Sequence, residues 1–288
     1  MHLEVPATLA NLGSGLDALG VALGLYLEVR ARPAPEELIY RGEGTVDPQD
    51  NLIHQAYRAA WAFLGQDPPS LALEVRNPIP LARGLGSSAA ARIAGVALAD
   101  RLSGGALGRE GVFRLAAHLE GHPDNVAPAV FGGFAIGLLD PPLAFRFAAP
   151  RLTFALAVPD WELPTQRARA VLPSQVARED AIFNLARSAL WPAALASGFW
   201  SALPEAARDR LHQPYRAALI PGLEPALKRS IEEGVLAAFL AGAGPTLALL
   251  LGPEGVAKVL PILREYAGVR GRVILAGVSA EGYRWKEP

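Results

Sequence analysis

The chain contains no cysteine, which excludes a disulfide framework, a zinc finger and any thiolate-bound metal. No uncharged apolar run reaches the roughly eighteen residues that a membrane-spanning helix needs. The opening Met1-His2-Leu3-Glu4-Val5-Pro6 has neither the basic n-region nor the apolar h-region of a secretion signal. A soluble, cytoplasmic protein is therefore expected. Charge of one sign is missing as well: 27 Lys and Arg stand against 28 Asp and Glu, for a net charge of −1. That balance removes the electrostatic basis for holding nucleic acid or an anionic membrane. With no low-complexity linker, coiled coil or fixed-period repeat either, a small molecule is the expected partner.

At 288 residues with 51% hydrophobic content, the chain can fill a substantial core, and two lobes sharing a cleft are the natural expectation. Leu27, Val29 and Ala31 alternate with Glu28, Arg30 and Arg32, and Leu71, Leu73 and Val75 alternate with charged neighbours in the same way. This period of two predicts half-buried strands. Helical spacing covers residues 51–64, with Asp50 or Asn51 as the cap, then 87–102 and 109–120, the last closed by Gly121. Residues 131–137 read as a strand, and the proline-rich 140–150 as a junction between a domain of residues 1–150 and one of 151–288. Beyond it the expected order is a strand at 152–158, a mostly helical stretch to about 216, a helix at 223–240, a strand at 246–251, a helix at 255–266 and a strand at 272–278. Such alternation suits an α+β sandwich with helices covering one sheet.

One string concentrates the chemistry: Pro78-Ile79-Pro80-Leu81-Ala82-Arg83-Gly84-Leu85-Gly86-Ser87-Ser88-Ala89-Ala90. Glycines admit phosphate oxygens to backbone amides, and a helix start aimed at them adds partial positive charge. Ser88 could reach a phosphate-bound magnesium ion. The plain alternative is a bend whose serines cap the first helical amides. A Walker loop is excluded because no lysine lies near the turn, and a dinucleotide fingerprint because Asn77-Pro78-Ile79-Pro80 separates strand from turn.

Further polar blocks stand apart. Asn11 and Asp17 lie in a glycine-spaced segment from Val5 to Gly20, where Asp17 could simply cap a turn. Glu120-Gly121-His122-Pro123-Asp124-Asn125 is either a helix end with a surface histidine or a cluster with a task. Ala241-Gly242-Ala243-Gly244-Pro245 can be read as a tight helix-to-strand turn.

The thirteen-residue string resembles the phosphate-binding motif of the GHMP small-molecule kinases. The N-terminal segment, the block from Glu120 to Ala129, and the segments around Arg169 and Arg216 are similar to homoserine kinases, and the Gly242 turn resembles the third GHMP motif. The resemblance implies an α+β GHMP kinase fold: an N-terminal lobe of the ribosomal-protein-S5 domain 2 type and a C-terminal ferredoxin-like lobe. It also implies ATP on residues Pro80, Leu81, Ala82, Arg83, Gly84, Leu85, Gly86, Ser87 and Ser88, and Mg²⁺ on Ser88 and Glu120. By the same resemblance an amino-acid alcohol is held by Asn11, Asp17, His122, Arg169 and Arg216. Arginine suits a substrate carboxylate because its planar fork donates two parallel hydrogen bonds. Asn125 falls where mevalonate-type relatives carry a catalytic aspartate, so Ser88 and Asn125 are the residues expected nearest the reaction. A homodimer, and phosphorylation of L-homoserine for threonine synthesis, complete what the resemblance implies.

Overall fold

The computed structural model describes residues 1–43, 46–47, 51–147, 150–252 and 255–287. Its first sheet is organised around β1 (His2–Ala10) and β2 (Leu19–Pro33), joined by the polar turn that carries Asn11 and Asp17. In β2 the alternation seen in the sequence is realised, with Leu27, Val29 and Ala31 buried and Arg30 and Arg32 exposed. β1 is buried on both faces from Leu3 to Ala10, so the part of the glycine-spaced segment from Val5 to Ala10 is a strand inside the sheet. Period-two logic misses it because a doubly covered strand has no polar face.

β4 (Leu71–Asn77) lies antiparallel to β2 and parallel to β3 (Glu37–Gly42), and β11 (Arg284–Lys286) pairs with β1, giving the order β11-β1-β2-β4-β3. The hairpin of β5 (Phe134–Leu139) and β6 (Pro142–Arg146) joins the first residues of β2. Residues 140–146 are therefore part of this sheet, and the crossing to the second sheet lies between Arg146 and Thr153. Phe131 also differs from expectation: it closes helix α4 (Val126–Phe131), and the strand begins three residues later.

Helices α1 (Leu52–Phe63), α2 (Ser87–Leu102) and α3 (Gly108–Glu120) cover the sheet. Asn51 caps α1, its Oδ1 accepting from the Ile53 amide at 2.9 Å, while Asp50 lies outside the described residues. A methyl group at Gly95 would stand 2.2 Å from the Ile53 carbonyl, so α1 and α2 approach closely only because that position is glycine.

The second sheet has the order β10-β7-β9-β8, all antiparallel, from β7 (Thr153–Val158), β8 (Ala237–Leu240), β9 (Leu247–Leu251) and β10 (Arg272–Gly277). Between β7 and β8 come α5 (Thr165–Ala170), α6 (Arg178–Ser197), α7 (Leu203–Ala206), α8 (Gln213–Ala217) and α9 (Leu223–Glu232), and α10 (Val256–Ala267) links β9 to β10. Strand, helices, two strands, helix, strand is the ferredoxin-like sequence of elements. The helix expected to run to residue 240 stops at Glu232 because Gly234, at φ +82°, turns the chain back into β8. Phe134 of the first sheet stacks on Trp191, which meets Phe239 edge-on, while Phe154 contacts both phenylalanines; a shared aromatic core joins the lobes.

Candidate active site

The start of α2 opens into a cleft between the lobes. Gly86, at φ +71°, occupies the cap position, and among the described residues no side chain hydrogen-bonds to the first helical amides. Neither serine caps them: Ser87 Oγ accepts from Asn77 at 3.0 Å, and Ser88 Oγ donates to Glu120 Oε2 at 3.0 Å. The plain reading of the serines as caps is thereby set aside, and the helix presents free donors and the positive end of its dipole to the cleft. The glycines also have a packing reason. A Cβ at Gly84 would stand 2.0 Å from the Ala241 carbonyl, and one at Gly86 2.0 Å from Thr8 Oγ1. They allow the loop to nest against β1 and the 241–245 turn.

Pro80, Ala82, Gly84, Leu85, Ser87 and Ser88 border this cleft. Leu81, with Ala82, Ser87 and Ser88, also borders an adjoining apolar cavity of about 480 Å³ that continues along Leu38, Tyr40 and Ala91. Arg83 also borders the cleft, but it is 4% exposed and its guanidinium donates to the carbonyls of Leu81, Pro159 and Asp160 at 2.8, 3.0 and 2.7 Å. With Glu162 3.3 Å away, its charge ties the loop to the second lobe.

Opposite the helix start, Arg169 of α5 makes a two-pronged ion pair with Asp17, at 3.0 and 2.8 Å. That hydrogen-bonded carboxylate raises the Arg169 pKa above its ordinary value. Among the described residues Asp17 caps no turn; its own amide donates to Asn11 Oδ1 at 3.0 Å, while Asn11 Nδ2 donates to the Gly242 carbonyl at 3.0 Å. One end of the Asn11 amide thus closes the turn on itself and the other clamps it to the second lobe. The clamp supports a left-handed backbone at Asn11, Leu12 and Asp17.

At the end of α3, His122 Nδ1 and Asp124 Oδ1 are 2.6 Å apart, and the same Asp124 oxygen accepts from the Asn125 amide at 2.9 Å. Burial alone would lower the His122 pKa, but the hydrogen bond and charge of Asp124, helped by Glu120, outweigh it and raise the pKa. Atoms of Asp17, His122 and Asp124 lie within 4.8 Å of one another, forming an acidic corner beside Arg169. Asn125 Oδ1 accepts from Thr8 Oγ1 at 2.7 Å. Glu120 joins Ser88 through its carboxylate, and Arg92 donates to both groups.

Arg216 of α8 is 2% exposed and held by the carbonyls of Ala168 and Gly242 at 3.2 and 3.0 Å and by His212 Nδ1 at 3.1 Å. His212 Nε2 lies 2.7 Å from the Gly13 carbonyl, an arrangement that needs the proton on Nε2 and leaves Nδ1 to accept from Arg216. Burial pushes the pKa of both His212 and Arg216 below their ordinary values. Asp209 fixes this helix start by accepting from the amides of Leu211, His212 and Gln213 at 2.9, 3.0 and 2.6 Å. Among the described residues, no group takes a hydrogen bond from Arg216 Nη2, and Arg216 lines the same cleft.

The fold thus brings Asn11, Asp17, Ser88, Glu120, His122, Asn125, Arg169 and Arg216 around one cleft. Sequence reasoning passed over Asp124, Thr8, Arg92 and His212. Asp124 sat in a quoted motif, and His212 lies four residues before Arg216 on one helical face. Thr8 and Arg92 carried no local signal. Arg187, which has no role in the sequence, pairs with Glu205 and lies over the Phe183 ring.

Residues 51–133 match the GHMP kinases N terminal domain, and residues 193–268 the GHMP kinases C terminal family. A homoserine kinase of Thermus thermophilus is 63% identical over 288 residues, covering 99% of this chain and 98% of its own. The crystal structure of homoserine kinase from Cytophaga hutchinsonii superposes with a TM-score of 0.88 at 26% identity, covering 99% of this chain and 96% of that one. Mevalonate kinase of L. major shares the fold, with a TM-score of 0.74 at 15% identity over 97% and 96% of the two chains. A full-length relative of this identity, the two matched domains and the ferredoxin-like second sheet agree: the chain belongs to the homoserine kinase family of the GHMP kinases.

Proposed function

We propose that the protein transfers the γ-phosphoryl group of ATP to the side-chain hydroxyl of L-homoserine, giving ADP and O-phospho-L-homoserine for threonine synthesis. One observation carries this reading: groups complementary to an amino-acid zwitterion face an uncapped helix N-terminus across a single cleft. The acidic corner of Asp17 and Asp124 suits an ammonium group, and Arg169 with Arg216 Nη2 suits a carboxylate. In the free protein Asp17 and Arg169 satisfy each other. A zwitterion can replace that pair with two charge-matched contacts, whereas mevalonate has no ammonium to offer Asp17.

The amides of Ser87 and Ser88 take the phosphates, and the apolar cavity along Leu38, Tyr40 and Ala91 takes the adenine. Ser88 and Glu120 supply a hydroxyl and a carboxylate oxygen, a donor set that fits Mg²⁺, which otherwise keeps its waters. When bound, that ion neutralises charge on the transferring phosphoryl group. Asn125 is an amide and offers no base of its own. Its hydrogen bond with Thr8 holds the α3–α4 corner against β1, beside the Gly86 loop, so catalysis rests on alignment and charge stabilisation. Asn11 acts through the turn it clamps, and His122 through its contact with Asp124.

Residues 1–150 form the ATP-binding lobe and 151–288 the second lobe, with β11 returning to the first sheet. The protein works in the cytoplasm as a homodimer; among the described residues no helix is long and apolar enough to cross a membrane. Light scattering of the purified protein tests the dimer. ADP release with Mg-ATP, compared across L-homoserine, L-serine, L-threonine and mevalonate with the product identified by mass, tests the reaction. Preference for another alcohol would refute the substrate, and nucleotide binding without turnover would refute the activity.

A further inference from the structure

Arg92, which contacts two residues lining the cleft, has no part in the reading above. Arg92 follows Ser88 by one turn of α2, which places both side chains on the same face. Its Nη1 donates to Ser88 Oγ and to Glu120 Oε2, the two oxygens that also contact each other at 3.0 Å. The Glu120 side chain is 8% exposed, so this guanidinium neutralises a nearly buried carboxylate. The pair of oxygens that would hold a divalent ion therefore already shares one positively charged donor. An ion bonded to both oxygens would compete with that nitrogen for their lone pairs and be repelled by its charge.

We infer that Arg92 is the resident cation of the metal position: it holds Ser88 and Glu120 together in the free enzyme, and a divalent ion binds only by displacing it. Arg92 is then a positioning residue that sets how strongly nucleotide binding depends on Mg²⁺. The inference rests on the assignment of Ser88 and Glu120 as metal ligands. The long, partly exposed stem of Arg92 lets its head group leave without moving the helix backbone.

The experiment is the dissociation constant of the non-hydrolysable analogue AMP-PNP, measured by calorimetry in EDTA and in saturating Mg²⁺, for the full chain and its Arg92→Met, Arg92→Gln, Arg92→Lys and Glu120→Gln variants. The factor by which Mg²⁺ tightens binding should be about tenfold larger in Arg92→Met and Arg92→Gln than in the parent, equivalent to about 1.4 kcal/mol. Arg92→Lys, which keeps the competing charge, should return that factor toward the parent value. An unchanged or smaller factor in both neutral variants overturns the inference. So does equal weakening of binding in EDTA and Mg²⁺, which would make Arg92 a direct phosphate contact or a structural prop. Glu120→Gln separates the two levels. If it loses most of the Mg²⁺ dependence while the Arg92 variants show no effect, the metal assignment stands and the inference alone falls. If it keeps that dependence, the assignment falls and takes the inference with it.

Discussion

Replacing Gly86 by alanine tests whether the phosphate loop is held by β1. The added methyl would sit 2.0 Å from Thr8 Oγ1 and 3.0 Å from Asn125 Oδ1, on a backbone at φ +71°. The left-handed conformation costs an alanine about 1–2 kcal/mol, and forcing a methyl into occupied space costs about 1–3 kcal/mol more. Gly86→Ala should therefore destabilise the protein by roughly 2–5 kcal/mol, at about 2–4 °C in Tm per kcal/mol for proteins of somewhat smaller size. Thr8→Ala alone removes the 2.7 Å hydrogen bond to Asn125 and leaves that oxygen without its donor, at about 1–3 kcal/mol. In the double variant the 2.0 Å clash has no atom to meet, while the backbone strain persists. Its loss should fall short of the sum of the single losses by about 1–2 kcal/mol, a coupling expected only of residues in contact. Urea unfolding of the four proteins, with ADP affinity measured alongside, gives the cycle. A Gly86→Ala protein within about 0.5 kcal/mol of the parent, or strict additivity, would refute the argument and leave the glycine to the nucleotide alone.

Asp17→Asn and Arg169→Ala should each raise the KM for homoserine by about 10–100-fold, as loss of one charge-assisted contact of about 1.5–3 kcal/mol implies, with the KM for ATP little changed; a selective rise for ATP would contradict the assignment. Ala91→Trp, which fills the cavity beside the phosphate loop, should do the reverse, raising the KM for ATP and sparing that for homoserine. His122 should titrate by NMR above the ordinary histidine value, and Asp124→Asn should bring it down. Because its folded pKa is raised, the stability His122 contributes is full below the ordinary histidine range near 6.5 and is lost as pH rises through the folded value. His122→Gln should flatten that part of the stability profile, and a profile unchanged by the substitution would refute the pairing.

Strands and helices with a local signature were legible from residue order. β2 and β4 announced a half-buried face by alternation, α1 was marked by Asn51, and α3 ended at a glycine in the left-handed conformation. Residue order also grouped Gly84 to Ser88 with a helix start, and Glu120 with His122, because those groups are neighbours along the chain. Elements without local contrast were not legible: β1 has no polar face, and β8 followed a helix with only Gly234 to mark the change. Only tertiary structure decided what each polar group does. Asn11 bonds the Gly242 carbonyl 231 positions away, and Thr8 bonds Asn125 across 117. Arg83 stands in the phosphate string and Arg92 carries no local signal; the fold gives one to carbonyls of the second lobe and the other to Ser88 and Glu120. A backbone pattern depends on the next few residues and can be read from them, whereas a buried charge takes whichever partner the packing of distant segments brings within reach.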